Sequence, residues 1–172
     1  RDIDGNTFSH IQETTGELDL DNAKRVALER YDSLRLRVRS NQPARSVTFA
    51  EVYAQWWVVR EAEINAAWKA KGRSGVSQRA EWYVKQSKRY WLPYFGGYKF
   101  EDMTQALVSG YWQWRLAYWS NASEAERARC ANHALTPSKK TLDMEQSALG
   151  EVFRWGAAQQ FFTFQPILTN PY

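Results

Sequence analysis

Cysteine, histidine and methionine are all scarce in this chain of 172 residues. It holds one Cys, two His and two Met. The single thiol, Cys130, cannot form an internal disulfide, and together with His133 it supplies only two potential ligands, too few for a zinc site. We therefore expect no metal and no cofactor. Cysteine usage of this kind is typical of a reducing compartment, and we expect a cytoplasmic protein.

Long apolar runs and strand patterns are also missing. No run approaches the ~18 apolar residues of a membrane-spanning helix, and no apolar signal segment follows Arg1. The chain starts without Met, so we expect it to have been excised from a longer protein. Strand signals are thin and no internal repeat is present, which favours an all-α fold.

Aromatic residues and localised positive charge are what the chain has in abundance. Aromatics make up 15% of it, with nine Trp, which predicts a core of large rings. The formal net charge is +4, but residues 69–89 alone hold seven Lys or Arg against the single acidic residue Glu81. Such a patch is typical of proteins that bind phosphate backbones. A solvated helix face gives the same pattern, and charge alone leaves both interpretations open.

Capping signals and helical periodicity predict the first two helices. Asp19 or Asp21 can cap a helix that runs to about residue 38, and residues 40–47 form a predicted linker. The capping box from Thr48 to Glu51 opens the next helix, which we expect to end near residue 71, before a break at 72–75. Its predicted buried stripe consists of Phe49, Val52, Tyr53, Trp56, Ile64 and Ala67.

The following helix is predicted over residues 77–91, with Pro93 as its end. Spacings of three and four place two sets of side chains on separate faces. The first face is mostly aromatic: Ala80, Tyr83, Ser87, Tyr90 and Tyr94. The second face is polar and basic around one large ring: Gln78, Trp82, Lys85 and Arg89.

Two more main helices complete the prediction. Asp102 or Thr104 can cap a helix over residues 105–119, and a capping box at Ser123 opens a short helix inside the connection 120–137. The last helix is expected to start within 138–141 and to reach about residue 160, before an extended tail. Its predicted apolar stripe consists of Leu142, Leu149, Val152, Phe153 and Gly156.

Four stretches of the sequence occur in an informative order. They are Thr48-Phe49-Ala50-Glu51-Val52-Tyr53 with Trp57, then Leu92-Pro93-Tyr94-Phe95-Gly96 with 100–104, then Pro137-Ser138-Lys139-Lys140-Thr141-Leu142 with 149–157, and Ile167-Leu168-Thr169-Asn170-Pro171. Together they resemble the core-binding domain of phage-type tyrosine recombinases. Met103 stands where the family usually has Ile, and Gly156 stands at or beside a position where it usually has Ala.

The resemblance implies a four-helix, SAM-like core-binding domain at residues 48–172 with an additional N-terminal helix. Residues 1–47 are similar to the region before this domain, and we expect them to hold the remnant of an arm-binding module together with a helix and a linker. The family members are bacterial or phage-encoded integrases in which this domain clamps one face of duplex DNA at the recombination site. A separate C-terminal domain performs tyrosine-mediated strand exchange, so the resemblance implies that this chain is not itself an enzyme. Other protomers of the full-length protein are implied partners, and we expect this fragment alone to be a monomer.

In the family the second and fourth helices of the domain approach the major groove. The predicted DNA-contacting residues are Arg73, Ser74, Arg79, Lys85, Lys88, Arg89, Ser138, Lys139, Lys140 and Thr141. The unpaired N–H groups of a helix start suit a phosphate, so the cluster at 138–141 is assigned to backbone positioning. Arg79, Lys85 and Arg89 are candidates for contact with base edges. The alternative for 138–141 is an ordinary N-cap beside solvated lysines.

Two other classes of function stay open as hypotheses. A tryptophan-rich helical module can bind another protein without binding DNA, and a nucleic-acid binder of another family is the second alternative. Catalysis by this chain is disfavoured because Glu61 and Glu63, two residues apart on a helix, point in different directions. Asp102 is better explained as a helix cap. No catalytic residue is predicted.

Overall fold

The computed structural model describes residues 14–39, 46–129, 134–161 and 166–172. These ranges form helices and turns with no strand, apart from an isolated bridge between Thr48 and Lys99, so the all-α prediction is confirmed for them. The chain divides into two compact units, Arg1–Arg45 and Ser46–Tyr172. Most of the predicted linker at 40–47, together with Cys130 and His133, lies outside the described residues.

The first unit contains one described helix, α1, Leu20–Arg39. A carboxylate oxygen of Asp19 accepts the N–H groups of Asp21 and Asn22 at 3.1 and 2.9 Å, so Asp19 is the cap and Asp21 lies in the first turn. No residue of α1 is buried. Its stability therefore depends on the cap and on exposed pairs such as Arg25 with Glu29, more than on packing.

The second unit opens with α2, Phe49–Ala70. The predicted capping box is confirmed, since the Thr48 hydroxyl accepts the Glu51 N–H at 3.3 Å and the Glu51 carboxylate accepts the Thr48 N–H at 2.8 Å. The predicted stripe is buried except for Ala67, which is exposed, and that part of the prediction is wrong. Ala67 lines an open cavity of about 420 Å³ between α2 and the start of the next helix, which leaves its short side chain accessible to solvent.

The next helix continues through Pro93, contrary to the prediction. It consists of α3, Gln78–Gln86, a π-helical segment, Ser87–Trp91, and α4, Leu92–Phe95. In a regular α-helix, the ring of Pro93 would meet the carbonyl four residues earlier. The π segment shifts the register, and the Leu92 N–H donates to the Ser87 carbonyl five residues back. The helix therefore passes the proline without a break.

Helix α5, Gln105–Asn121, is capped by Thr104, whose hydroxyl accepts the Leu107 N–H at 3.2 Å. The alternative prediction, that Asp102 caps this helix, is wrong. Asp102 belongs to a 3₁₀ turn, Phe100–Asp102, that ends before the helix begins. The short helix α6, Glu124–Arg129, follows the predicted capping box at Ser123, which is confirmed.

Helix α7, Lys139–Ala158, is the central element of the second unit. It packs against α2, and its predicted apolar stripe is buried throughout. The rings of four phenylalanines meet beside it, with the Phe49 centroid 5.2 to 6.1 Å from those of Phe95, Phe100 and Phe153. The aromatic core predicted from composition therefore forms where α2, α4 and α7 converge.

A buried ion pair joins α5 to α7. The Arg115 Nε donates to both carboxylate oxygens of Glu145 at 3.0 Å, and the two side chains are only 3% and 0% exposed. The Arg115 guanidinium also lies 3.7 Å from the ring centroid of Tyr90 in the π segment. Burial raises the pKa of the Glu145 carboxyl, although Arg115 acts to lower it.

We predict that Arg115→Met destabilises the protein by about 3–5 kcal/mol at neutral pH, because it leaves a buried carboxylate without a cation. Loss of the arginine raises the pKa of Glu145 further. As the pH falls towards the ordinary range of a glutamate, this carboxyl becomes protonated, and the loss of unfolding free energy relative to the wild type becomes smaller. Urea unfolding at several pH values measures this. In the matched double variant Arg115→Met/Glu145→Met most of the stability should return, and an equal deficit at all pH values would contradict the prediction.

We also predict opposite effects for alanine at two glycines of α7. A Cβ at Gly156 would collide with the Phe100 ring, whose Cζ lies 2.8 Å away, so Gly156→Ala should destabilise by about 1–3 kcal/mol. At Gly150 the nearest atom is the flexible end of Arg154, at 3.0 Å. Gly150→Ala should therefore gain up to about 1 kcal/mol from helix propensity. Thermal unfolding of both variants tests the contrast, and equal shifts would contradict it.

Candidate nucleic-acid interface

Helices α3 and α7, the two elements expected to approach DNA, line one shared groove. Its volume is about 400 Å³. Arg79 is the one predicted contact residue in its wall. The lining side chains from α3 are Gln78, Arg79, Trp82 and Tyr83, and those from α7 are Met144, Ser147, Ala148 and Glu151. The groove is thus open at the surface, with an aromatic wall on the α3 side.

The turn before α3 fixes the first two predicted contact residues. Gly72 and Gly75 adopt φ values of 70° and 79°, which end α2 and reverse the chain. The Arg73 guanidinium lies 4.6 Å from the ring centroid of Trp68, and the Trp68 indole N–H donates to the Ser74 carbonyl at 3.1 Å. Both residues are exposed but held against the last turns of α2.

Arg79 takes part in an ion-pair network that the sequence did not reveal. Its Nη2 lies 3.3 Å from Glu151 Oε1 and 3.4 Å from the Tyr83 hydroxyl. The other Glu151 oxygen accepts from Arg60 Nη2 at 2.9 Å and from the Tyr83 hydroxyl at 3.0 Å. One carboxylate of α7 therefore joins donors from α2 and α3.

The remaining basic residues of this region differ in their surroundings. Lys85 and Lys88 are exposed, and within the described part of the chain neither forms an ion pair. Arg89 is half-buried, with its guanidinium 5.3 Å from the ring centroid of Trp119. Trp82 is half-buried and meets Trp91 edge to face at 6.3 Å, so it packs partly on the core.

The start of α7 holds the last four predicted contact residues. Ser138 is the N-cap, with its hydroxyl accepting the Thr141 N–H at 3.3 Å and lying 3.0 Å from the Thr141 hydroxyl. Lys139 contacts both oxygens of Asp143 at 3.0 and 3.1 Å. Lys140 is exposed and, among the described residues, makes no ion pair. Ser138 therefore caps α7. Lys140 is the cation of this cluster that extends into solvent without an ion pair among the described residues.

The C-terminal tail is attached beside this cluster by amide side chains. Asn170 is buried, and its amide donates to Asp143 at 2.9 Å and to Gln146 at 2.7 Å. Further along, the Gln105 amide both donates to and accepts from the Ile167 backbone, at 2.9 and 2.8 Å. The hydrogen bond from Asn170, and secondarily Lys139, lowers the pKa of the Asp143 carboxyl.

All nine tryptophans lie within the described ranges, and each is at least half-buried. Trp56, Trp91, Trp112 and Trp119 are buried, and the other five are half-buried. The abundance of Trp is therefore used mainly for packing, as expected of rings at core spacings.

The described residues contain no cluster of three or more His, Cys, Asp or Glu that could hold a metal ion. Glu63 is used in an ion pair with Arg60 at 2.9 Å. No helix in the same ranges is both long and apolar enough to cross a membrane. No protein-family model matches the chain, and no curated protein or solved structure shows significant similarity to it.

We predict that the Asp143 carboxyl titrates below the ordinary range of an aspartate and that Asn170→Ala and Lys139→Ala each raise its pKa. A lowered pKa means that the contact stabilises the fold above the ordinary aspartate range and is lost as the pH falls through the lowered value. Carbon-detected NMR titration of the side-chain carboxyl measures the three pKa values. An unchanged pKa in either variant would contradict the contribution assigned to that side chain.

Proposed function

We propose that the second unit binds duplex DNA as the core-binding half of a phage-type integrase. In this proposal it clamps DNA at a recombination site, while a separate catalytic domain carries out strand exchange. The observation that supports it most is the placement of the basic residues. Lys85, Lys88 and Lys140 are exposed cations without ion-pair partners in the described ranges, on the two helices that the resemblance assigns to DNA.

Exposed lysines suit contacts with the sugar–phosphate backbone. An ammonium group is a point charge on a flexible stem, and it can follow a phosphate without a fixed geometry. Such contacts set position and register and carry no sequence information. Lys140 also lies in the first turn of α7, where the partial positive charge of the helix start adds to its attraction for an anion.

The tryptophan-rich interaction module is less well supported. A Trp-based interface needs rings that a partner can cover, and the nine rings of this chain are buried or half-buried. The half-buried Trp82 does line the groove between α3 and α7. Its position beside Arg79 suits a nucleic-acid surface as well as a protein surface. The proposal therefore keeps DNA as the partner of this face.

We predict that the chain binds a labelled duplex of random sequence, about 30 base pairs long, with an affinity that falls log-linearly with salt. The slope of log affinity against log salt should become shallower by about one to two units in Lys85→Ala/Lys88→Ala and by about one unit in Lys140→Ala. The reason is that DNA binding releases fewer counterions when fewer phosphates are contacted. Fluorescence anisotropy between about 50 and 200 mM salt measures the slopes.

The matched control is Lys24→Ala/Lys99→Ala, which removes the same number of positive charges outside α3, the π segment and α7. It should leave the slope close to that of the wild type. Absence of binding at the lowest salt, or equal slopes for the Lys85/Lys88 variant and the control, would contradict the proposed interface. Binding that does not respond to salt would favour the protein-interaction module instead.

A further inference from the structure

The network around Glu151 has one acceptor carboxylate and three donor groups from two helices. Arg60 of α2 and the Tyr83 hydroxyl both bind Oε2, at 2.9 and 3.0 Å, while Arg79 binds Oε1 at 3.3 Å. A carboxylate that accepts from two guanidinium groups and a hydroxyl presents the donors with the same kind of anionic oxygens as a phosphate diester.

The two arginines are held to different degrees. The side chains of Arg60 and Glu151 are 22% and 23% exposed, whereas that of Arg79 is 57% exposed. Arg60 has a second partner in Glu63 at 2.9 Å. The contact of Arg79 is also the longer one. Exposed ion pairs contribute little to stability, so the Arg79 contact is the one that breaks at low cost.

Release of Arg79 does not leave the carboxylate unpaired. Glu151 would retain Arg60 and Tyr83 on its other oxygen. The usual penalty for breaking a partly buried ion pair arises when one charge loses all its partners, and that situation does not occur here. Arg79 also lines the open groove between α3 and α7, where a ligand can reach its guanidinium.

We propose that Glu151 acts as an internal competitor for DNA by holding Arg79, and that Arg79 transfers from this carboxylate to a DNA phosphate when the groove is occupied. This inference rests on the proposed function and adds regulation of the same surface. Lys85, Lys88 and Lys140 supply the initial attraction, and Arg79 joins afterwards as the exchangeable contact. Glu151 is thereby a positioning residue that sets how tightly the surface holds nucleic acid.

The test is a double-mutant cycle on DNA affinity with a charge-matched control. Glu151→Gln should bind the random duplex about twofold to fivefold more tightly than the wild type, since the competing charge is gone while an amide oxygen still serves Arg60 and Tyr83. Glu63→Gln removes the same charge from a carboxylate that contacts Arg60 but not Arg79. It should change the affinity less than twofold. In the Arg79→Ala background, Glu151→Gln should have no more effect than Glu63→Gln.

Thermal unfolding checks that each variant is folded. NMR of the arginine Nε–Hε groups of the wild type provides a test that needs no variant. On addition of the duplex, the Arg79 signal should shift and the Arg60 signal should stay. If the wild type binds with a normal salt slope but Glu151→Gln and Glu63→Gln behave alike, or if Arg79 does not shift, the competitor role is overturned and the proposed function stands. If neither the wild type nor Glu151→Gln binds, both proposals fail.

Discussion

The buried ion pair between Arg115 and Glu145 is a constraint on which the arrangement of the second unit depends. Two charges taken out of water are tolerated only while each stays paired, so α5 and α7 must keep their separation and register. The Arg115 guanidinium also lies on Tyr90, which ties the π segment to the same point. Because α7 is one continuous helix, the pair indirectly fixes where Lys140 and Glu151 stand relative to α3.

The sequence predicted those features whose cause lies within a few residues. The caps at Thr48 and Ser123 are local hydrogen bonds, and each was identified from a hydroxyl residue three positions before a Glu. The apolar stripe of α7 followed from helical spacing alone. The prediction that the helix ends at Pro93 was wrong. The π segment changes the hydrogen-bond register, so the proline ring fits where it would clash in a regular α-helix.

The candidate site was less predictable, because its partners are distant in sequence. Arg79 and Glu151 lie 72 positions apart, and Arg115 and Glu145 lie 30 apart. No spacing rule connects such residues, and a basic stretch does not show which of its cations are already paired. The structure separates them. Lys85, Lys88 and Lys140 extend into solvent, whereas Arg73, Arg79 and Arg89 lie against rings or a carboxylate. The surface thus combines permanently available charge with charge that has an internal partner.

The π segment has a consequence for how this helix compares with others. Each residue of an α-helix advances the side-chain direction by about 100°, and a π turn holds one residue more than an α turn. The side chains after Trp91 are therefore rotated around the helix axis, relative to the pattern set before Ser87, by roughly the angle of one residue. This offset accounts for Tyr94 being half-buried although it continues the spacing of Tyr83 and Tyr90. Consider a related protein with one residue fewer in the π segment. If the two sequences were aligned without a gap, identical residues after this segment would lie on different faces of the helix.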